Sequence, residues 1–193
     1  MVSSLVLDGL FSRRSIQNWL PIPATNPLPI GTVVPLIDPL NFELHHVATR
    51  QRIRLTDYLG QSDWLLLAFT RIFSAKQYCP LCYPHILELN ATYEQLQDRG
   101  IEVLMITSTE LPQSEIVLQD LGLKMPLLSD PSRASFRDYQ VGQALGAPLP
   151  AQFLLDATGR LIFKHLFSFI EPNASLDRVL AAIDRVRLEM PHH

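Results

Sequence analysis

The longest unbroken apolar run in the chain is Trp64-Leu65-Leu66-Leu67-Ala68-Phe69, closed by Thr70. No polar residue interrupts it, so it predicts a strand covered on both faces. Ile101-Glu102-Val103-Leu104-Met105-Ile106 predicts a second central strand. Between them, over residues 80–99, Ile86, Leu87, Leu89, Tyr93 and Leu96 recur at helical spacing, and Gly100 supplies a stop. Residues 112–122 predict a helix ending near Gly122, residues 126–129 a short strand, and residues 134–139 a short helix. Residues 153–156 and 161–167, joined by Ala157-Thr158-Gly159, predict a hairpin. A last helix presents Leu176, Val179, Leu180, Ile183 and Val186 on one face, with Asn173 or Ser175 as its cap. Residues 42–47 and 50–55 predict a hairpin ahead of the first central strand, and residues 71–78 read as a polar loop. This order implies an α/β fold, a central mixed β-sheet flanked by helices on both faces.

Residues 1–30 read as an N-terminal arm and residues 31–190 as the domain proper. Leu5, Val6, Leu7, Leu10 and Phe11 suit one face of a short helix, and Trp19-Leu20-Pro21-Ile22-Pro23 suits extended, proline-stiffened chain. Packing of the arm on its own domain and its use as a partner or homodimer contact are both open readings. With 193 residues and 47% hydrophobic content, the chain is long enough to bury a real core. A net charge of −3 gives no reason to expect nucleic acid or an anionic membrane as partner. The opening MVSSLVLDGLFSRR lacks a basic leading region, and Asp8 and Gly9 break its apolar run, so no secretory leader is expected. No apolar run is long enough to span a membrane.

The chain has two cysteines, in Cys79-Pro80-Leu81-Cys82, between the first apolar run and the helix-like stretch. A structural disulfide over so short a loop adds little stability, so a reactive dithiol in a reducing, cytoplasmic setting is the more natural reading. Free N–H groups and the helix dipole at a helix start favour negative charge, and they lower a thiol pKa from its free value of about 8.5. Cys79 is placed to feel this, with Pro80 suited to the first helical position. Cys82, one turn on, is then the resolving thiol: Cys79 attacks, a mixed disulfide forms, and Cys82 displaces it. Competing readings are a metal site through Cys79, Cys82 and His85, and two plainly buried thiols; with no second cysteine pair, a tetrathiolate zinc site within one chain is excluded. Arg71 and Lys76 are candidate electrostatic helpers, the plainer view being two exposed loop cations. His85 is a candidate proton-transfer helper, the plainer view being a solvated helix histidine.

In this order the segments resemble the thioredoxin-like superfamily, in particular its peroxiredoxin-like branch (alkyl hydroperoxide reductase/thiol-specific antioxidant type). The resemblance runs from about Gly31 to about Val186. Gly31-Thr32-Val33-Val34-Pro35, Phe42-Glu43-Leu44 and Leu55-Thr56-Asp57-Tyr58-Leu59-Gly60 look like the opening hairpin and short helix, and Leu66-Leu67-Ala68-Phe69-Thr70 like the strand before the active site. Leu149-Pro150-Ala151-Gln152-Phe153-Leu154-Leu155-Asp156 looks like the segment carrying the family's cis-proline. The resemblance implies a thioredoxin-like fold, substrate binding through Leu149 and Pro150, and no cofactor or metal beyond a redox-active Cys79–Cys82 disulfide. It also implies a protein thiol or disulfide as partner, with an upstream reductant.

Two departures shape the expected activity. Peroxiredoxins resemble Pro-x-x-x-Thr-x-x-Cys around the attacking cysteine, where this chain has Ile72 and Lys76, and they carry an arginine where it has Pro150. The threonine and arginine hold the peroxide, so their loss favours thiol–disulfide exchange over peroxidase chemistry. Thioredoxins place a buried carboxylate where this chain has Ala68, and their Trp-Cys-Gly-Pro-Cys signature is absent. The expected function is therefore a thiol–disulfide oxidoreductase. A thiol-dependent peroxidase and a non-enzymatic redox-sensing or binding module are the alternatives.

Overall fold

The unbroken apolar run forms the strand β3 (Trp64–Thr70), every residue of which is buried. Successive side chains of a strand point to opposite faces. Trp64, Leu66 and Ala68 accordingly enter one core, and Leu65, Leu67 and Phe69 enter a second core across the sheet. The computed structural model describes residues 22, 27–37 and 40–189. The expected arm helix at residues 5–11 lies outside the described residues, as does all of the extended stretch at residues 19–23 except Ile22.

The sheet has seven strands in the order β11 (Leu161–Leu166), β10 (Ala151–Asp156), β3, β6 (Ile101–Thr107), β7 (Leu127–Ser129), β1 (Glu43–His46), β2 (Arg52–Arg54). It is mixed. β3 runs parallel to β6, from Trp64↔Ile101 to Thr70↔Thr107, and antiparallel to β10, from Ala151↔Phe69 to Asp156↔Trp64. Helices α1 (Tyr83–Asp98), α2 (Leu111–Asp120) and α4 (Leu176–Glu189) fill the first core through Ile86, Leu89, Val117, Val179 and Ile183. The short α3 (Ala134–Asp138) carries Phe136 into the second core. There Phe69 meets the rings of Phe136, Tyr139 and Phe153 at centroid distances of 5.0, 5.1 and 5.6 Å. The Tyr139 hydroxyl donates to the Leu40 carbonyl at 3.0 Å, so its burial leaves no orphaned polar atom. Gly100 does stop α1: its φ is 75°, and a Cβ there would meet Asp63 Oδ2 at 2.8 Å.

The structure corrects the sequence reading at four places. Residues 71–78 are not an open polar loop. Arg71 and Ile72 are buried, and the segment is a hairpin of β4 (Ile72–Ser74) and β5 (Gln77–Tyr78). Helix α1 begins at Tyr83, so Cys82 and not Cys79 is its N-cap, and Pro80 lies in the turn before it. Asn173 does not cap α4, because its side chain is spent elsewhere, while the Ser175 carbonyl accepts from Arg178 and Val179 N–H at 3.1 and 3.3 Å. A second small hairpin, β8 (Gln143–Ala144) and β9 (Ala147–Pro148), precedes β10, and Ile22 pairs with Gln143 beside it.

Candidate active site

The carboxyl end of β3 organises the site. Where β3 ends at Thr70 the chain turns through Arg71 into the β4–β5 hairpin and returns at Cys79. The hairpin is fastened to α2 by the Tyr78 hydroxyl, which donates to Asp120 Oδ2 at 2.5 Å, and Tyr78 stacks on Tyr83 at 5.2 Å. The Cys79 carbonyl accepts from the N–H groups of Cys82 and Tyr83 at 3.0 and 2.9 Å. These two bonds wind Pro80-Leu81 into a turn that leads into α1 and brings the two sulfurs together.

Both thiols are free and buried, Cys82 to 1% exposure and Cys79 to 7%. The Cys82 thiol is pushed up to about 12, first by burial, then by the charge of Cys79 and by a hydrogen bond to it. The backbone N–H and the guanidinium of Arg71 act the other way on the same sulfur.

Arg71 is 6% exposed. Its Nη2 donates to the Ala144 carbonyl of β8 at 2.6 Å, and the guanidinium lies over the Phe73 ring at 4.9 Å. Its Nε is buried without a partner. It is therefore not the exposed loop cation of the plainer sequence reading. Lys76 is such a cation: it is exposed at the β4–β5 turn with a φ of 66°, and it makes no hydrogen bond or ion pair with either cysteine.

On the other side of the turn the polar groups are saturated. Gln152 in β10 is 1% exposed and sits opposite Ala68 in the β10–β3 register. Its Oε1 accepts from the Ala174 N–H at 3.0 Å, which fixes the amide orientation. Its two N–H bonds then run to Asn173 Oδ1 at 3.0 Å and to His85 Nε2 at 3.1 Å. The His85 nitrogen must accept, so its ring proton lies on Nδ1, facing Glu88 Oε2 at 3.4 Å. Asn173 Nδ2 donates to the Leu81 carbonyl at 3.0 Å, inside the cysteine turn. Burial holds the His85 pKa below its usual value, the Glu88 carboxylate opposes that, and nearby His165 adds to it.

His85 is thus not the solvated histidine of the plainer sequence reading, and both its nitrogens are engaged away from the sulfurs. Leu149 and Pro150 are buried just ahead of β10, whose Ala151 pairs with Phe69, so the register puts them at the same end of the sheet as the cysteine turn. Among the described residues no cluster of three or more His, Cys, Asp or Glu side chains has the arrangement of a metal site. Sequence reasoning missed Gln152 and misread Asn173. The available signal was Gln152 itself, the one polar residue within Leu149–Leu155 of an otherwise apolar strand segment.

A Cys-x-x-Cys turn that follows a central strand and leads into a helix, with Pro150 just ahead of the antiparallel neighbour at the same end of the sheet, fits a thioredoxin-like protein of the peroxiredoxin-like branch. The chain belongs to the AhpC/TSA family, whose sequence profile matches residues 38–164. It is 27% identical over 116 residues to the thiol-disulfide oxidoreductase ResA of Bacillus cereus, a match covering 59% of this chain and 60% of ResA. It is 24% identical over 151 residues to peroxiredoxin tpx1 of Schizosaccharomyces pombe, covering 74% of each chain. Among solved structures it resembles a mutant of peroxiredoxin 6 from Arenicola marina, with TM-score 0.68, 17% identity and coverage of 84% of this chain and 74% of the other. It also resembles the bacterioferritin comigratory protein of Xanthomonas campestris, with TM-score 0.60, 20% identity and coverage of 75% and 90%. Both curated relatives carry the names of redox enzymes, in line with an enzyme of the redox kind, and the match spans 60% of the length of ResA.

Proposed function

We propose that the protein is a thiol–disulfide oxidoreductase acting on a protein disulfide through Cys79 and Cys82. The Cys79 thiolate attacks one sulfur of the substrate disulfide and expels the other as a thiolate. Cys82 then loses its proton and attacks the Cys79 sulfur. The second substrate thiolate leaves, and a Cys79–Cys82 disulfide remains for an upstream reductant to open. The observation that carries this reading is the pair itself: two free, buried thiols in one Cys-x-x-Cys turn, reached by the chain from the carboxyl end of β3. Leu149 and Pro150 are proposed to line the substrate's path, and a reducing compartment such as the cytoplasm to be its setting. In the Cys82→Ser variant a protein substrate should remain trapped as a mixed disulfide on Cys79. If that variant traps nothing and the wild type reduces no disulfide, the reading fails.

The similarity to peroxiredoxin tpx1 favours a second reading, in which Cys79 attacks a peroxide and is resolved by Cys82 with release of water. Against it stand Ile72, an apolar buried side chain, and Lys76, exposed at the hairpin turn, at positions where the family pattern has proline and threonine. Stopped-flow peroxide oxidation no faster than that of free cysteine removes this reading.

A further inference from the structure

Two side-chain amides join His85 to the cysteine turn, and the polarity of every bond between them is forced from both ends. The Ala174 N–H can only donate, so the Gln152 oxygen faces it at 3.0 Å and the Gln152 amino group faces the other way. The Leu81 carbonyl can only accept, so Asn173 turns its amino group to it at 3.0 Å and its oxygen to Gln152, also at 3.0 Å. The remaining Gln152 N–H meets His85 Nε2 at 3.1 Å. Both fixed ends therefore demand a lone pair on that nitrogen. Gln152 is 1% exposed, so a mismatch of donors there is not relieved by solvent.

We propose that His85 is a positioning residue for the exchange: its neutral form holds the cysteine turn through Gln152 and Asn173, and a proton taken up from solvent releases the turn. The consequence for activity rests on the exchange reading above; the relay itself does not. A proton on Nε2 sets two N–H groups against each other. Gln152 relieves this by turning over, which offers its oxygen to His85 but sets its amino group against the Ala174 N–H. Asn173 must then turn over too, which sets its oxygen against the Leu81 carbonyl. Leu81 lies between the two cysteines, in the turn closed by the Cys82 and Tyr83 N–H groups on the Cys79 carbonyl. The turn then loses its outside tether, and the sulfurs lose their set geometry for attack. Burial holds the His85 pKa below 6.5, and the Glu88 carboxylate, at 3.4 Å from Nδ1, opposes it. From β11, His165 stands opposite Gln152 in the strand register, bonded to the Glu171 carbonyl at 2.9 Å and beside Arg178 and the Glu171 carboxylate. The turn is therefore held at neutral pH and released as pH falls below the ordinary histidine value.

NMR of the reduced chain from about pH 8 to about pH 4 follows the His85 ring together with the Cys82 and Tyr83 amides of the turn. In wild type both amides should move with the His85 midpoint. Asn173→Ala cuts the relay but keeps His85, so any direct effect of the imidazolium charge on the amides persists in it. The amide shifts should nevertheless fall by at least about half, and the His85 midpoint should rise by about half a unit, because a turn already released no longer resists the proton. Activity supplies the second readout, as the rate of the first coloured thiolate released from dithiobis-nitrobenzoate. Loss of the attacking thiolate alone lowers that rate about tenfold per pH unit. Below the His85 midpoint wild type should fall further, by an added factor of at least about three. His85→Gln, which keeps an acceptor and does not titrate, should follow the thiolate alone, and Asn173→Ala should do so from a lower starting rate. Turn amides indifferent to His85, amides equally responsive in Asn173→Ala, or a steep acid limb that survives His85→Gln overturns the proposal. A wild type whose amides follow His85 but which reduces no disulfide overturns the exchange reading instead and upholds the relay.

Discussion

Two buried polar neighbourhoods flank the same four-residue turn, and they are built on opposite principles. On one side Gln152, Asn173 and His85 are neutral and mutually satisfied, down to the bond from Asn173 to the Leu81 carbonyl. On the other side Arg71 is charged, buried and left with an open donor. A closed network fixes geometry, because every alternative arrangement orphans a buried group. An open buried donor is costly, because nothing replaces the hydrogen bonds it made to water. The turn is therefore held on one side by a closed network, while the other side keeps a buried cation with an open donor.

The contrast breaks most visibly at Gln152. Gln152→Leu strands the Ala174 N–H, the Asn173 carbonyl oxygen and His85. At about 1–3 kcal/mol for each buried orphan, it should be the most destabilising substitution in the site, as read by urea denaturation. A loss below about 1 kcal/mol contradicts the closed-network description. Asn173→Ala removes one bond to the turn and should cost about 1 kcal/mol while slowing attack by Cys79 and resolution by Cys82 together.

The pH dependence of stability sharpens the same comparison with smaller effects. Cys82 keeps its proton in the folded state at pH values where an unfolded thiol has lost it. The native state then binds more protons, so reduced protein should lose stability as pH rises from the ordinary thiol value of 9.0 towards about 12. Cys82→Ala should flatten that decline; an equally steep decline in the variant places its origin elsewhere. His85 has the reverse sign. Its folded pKa is below 6.5, so the unfolded state binds the extra proton, and stability falls as pH drops below that value. His46 is shifted the same way by burial, so the His85 part is the difference between wild type and His85→Asn in acid melts.

The sequence announces what long-range burial requires and hides what short polar segments do. β3 and β6 are legible because a two-faced strand needs an unbroken apolar run, and α1 because its apolar residues keep helical spacing. The β4–β5 hairpin is not legible. Its strands are three and two residues long, too short to show alternation, and its turn uses Lys76 at positive φ where glycine or asparagine is the usual signal. The β8–β9 turn is disguised likewise, with Leu145 at a φ of 52° ahead of Gly146. Cys79 and Cys82 are legible as a neighbouring pair of thiols from spacing alone. Their surroundings are not, since Arg71 looks like a loop cation until the hairpin buries it, and Asn173 looks like a helix cap until its amide is traced to Leu81. Sequence reasoning shows an apolar Ala68 at the position where the resemblance implies a buried carboxylate. Its register partner Gln152, bonded to His85, is the polar group that the fold puts there.

The division of labour between the two sulfurs is tested most directly by counting coloured thiolate released from dithiobis-nitrobenzoate by wild type, Cys82→Ser and Cys79→Ser. Wild type should release two equivalents in two phases, Cys82→Ser one equivalent with the second retained on Cys79, and Cys79→Ser almost none on the same timescale. Fast release from Cys79→Ser, or two equivalents from Cys82→Ser, would contradict the assignment of Cys79 as nucleophile and Cys82 as resolving thiol.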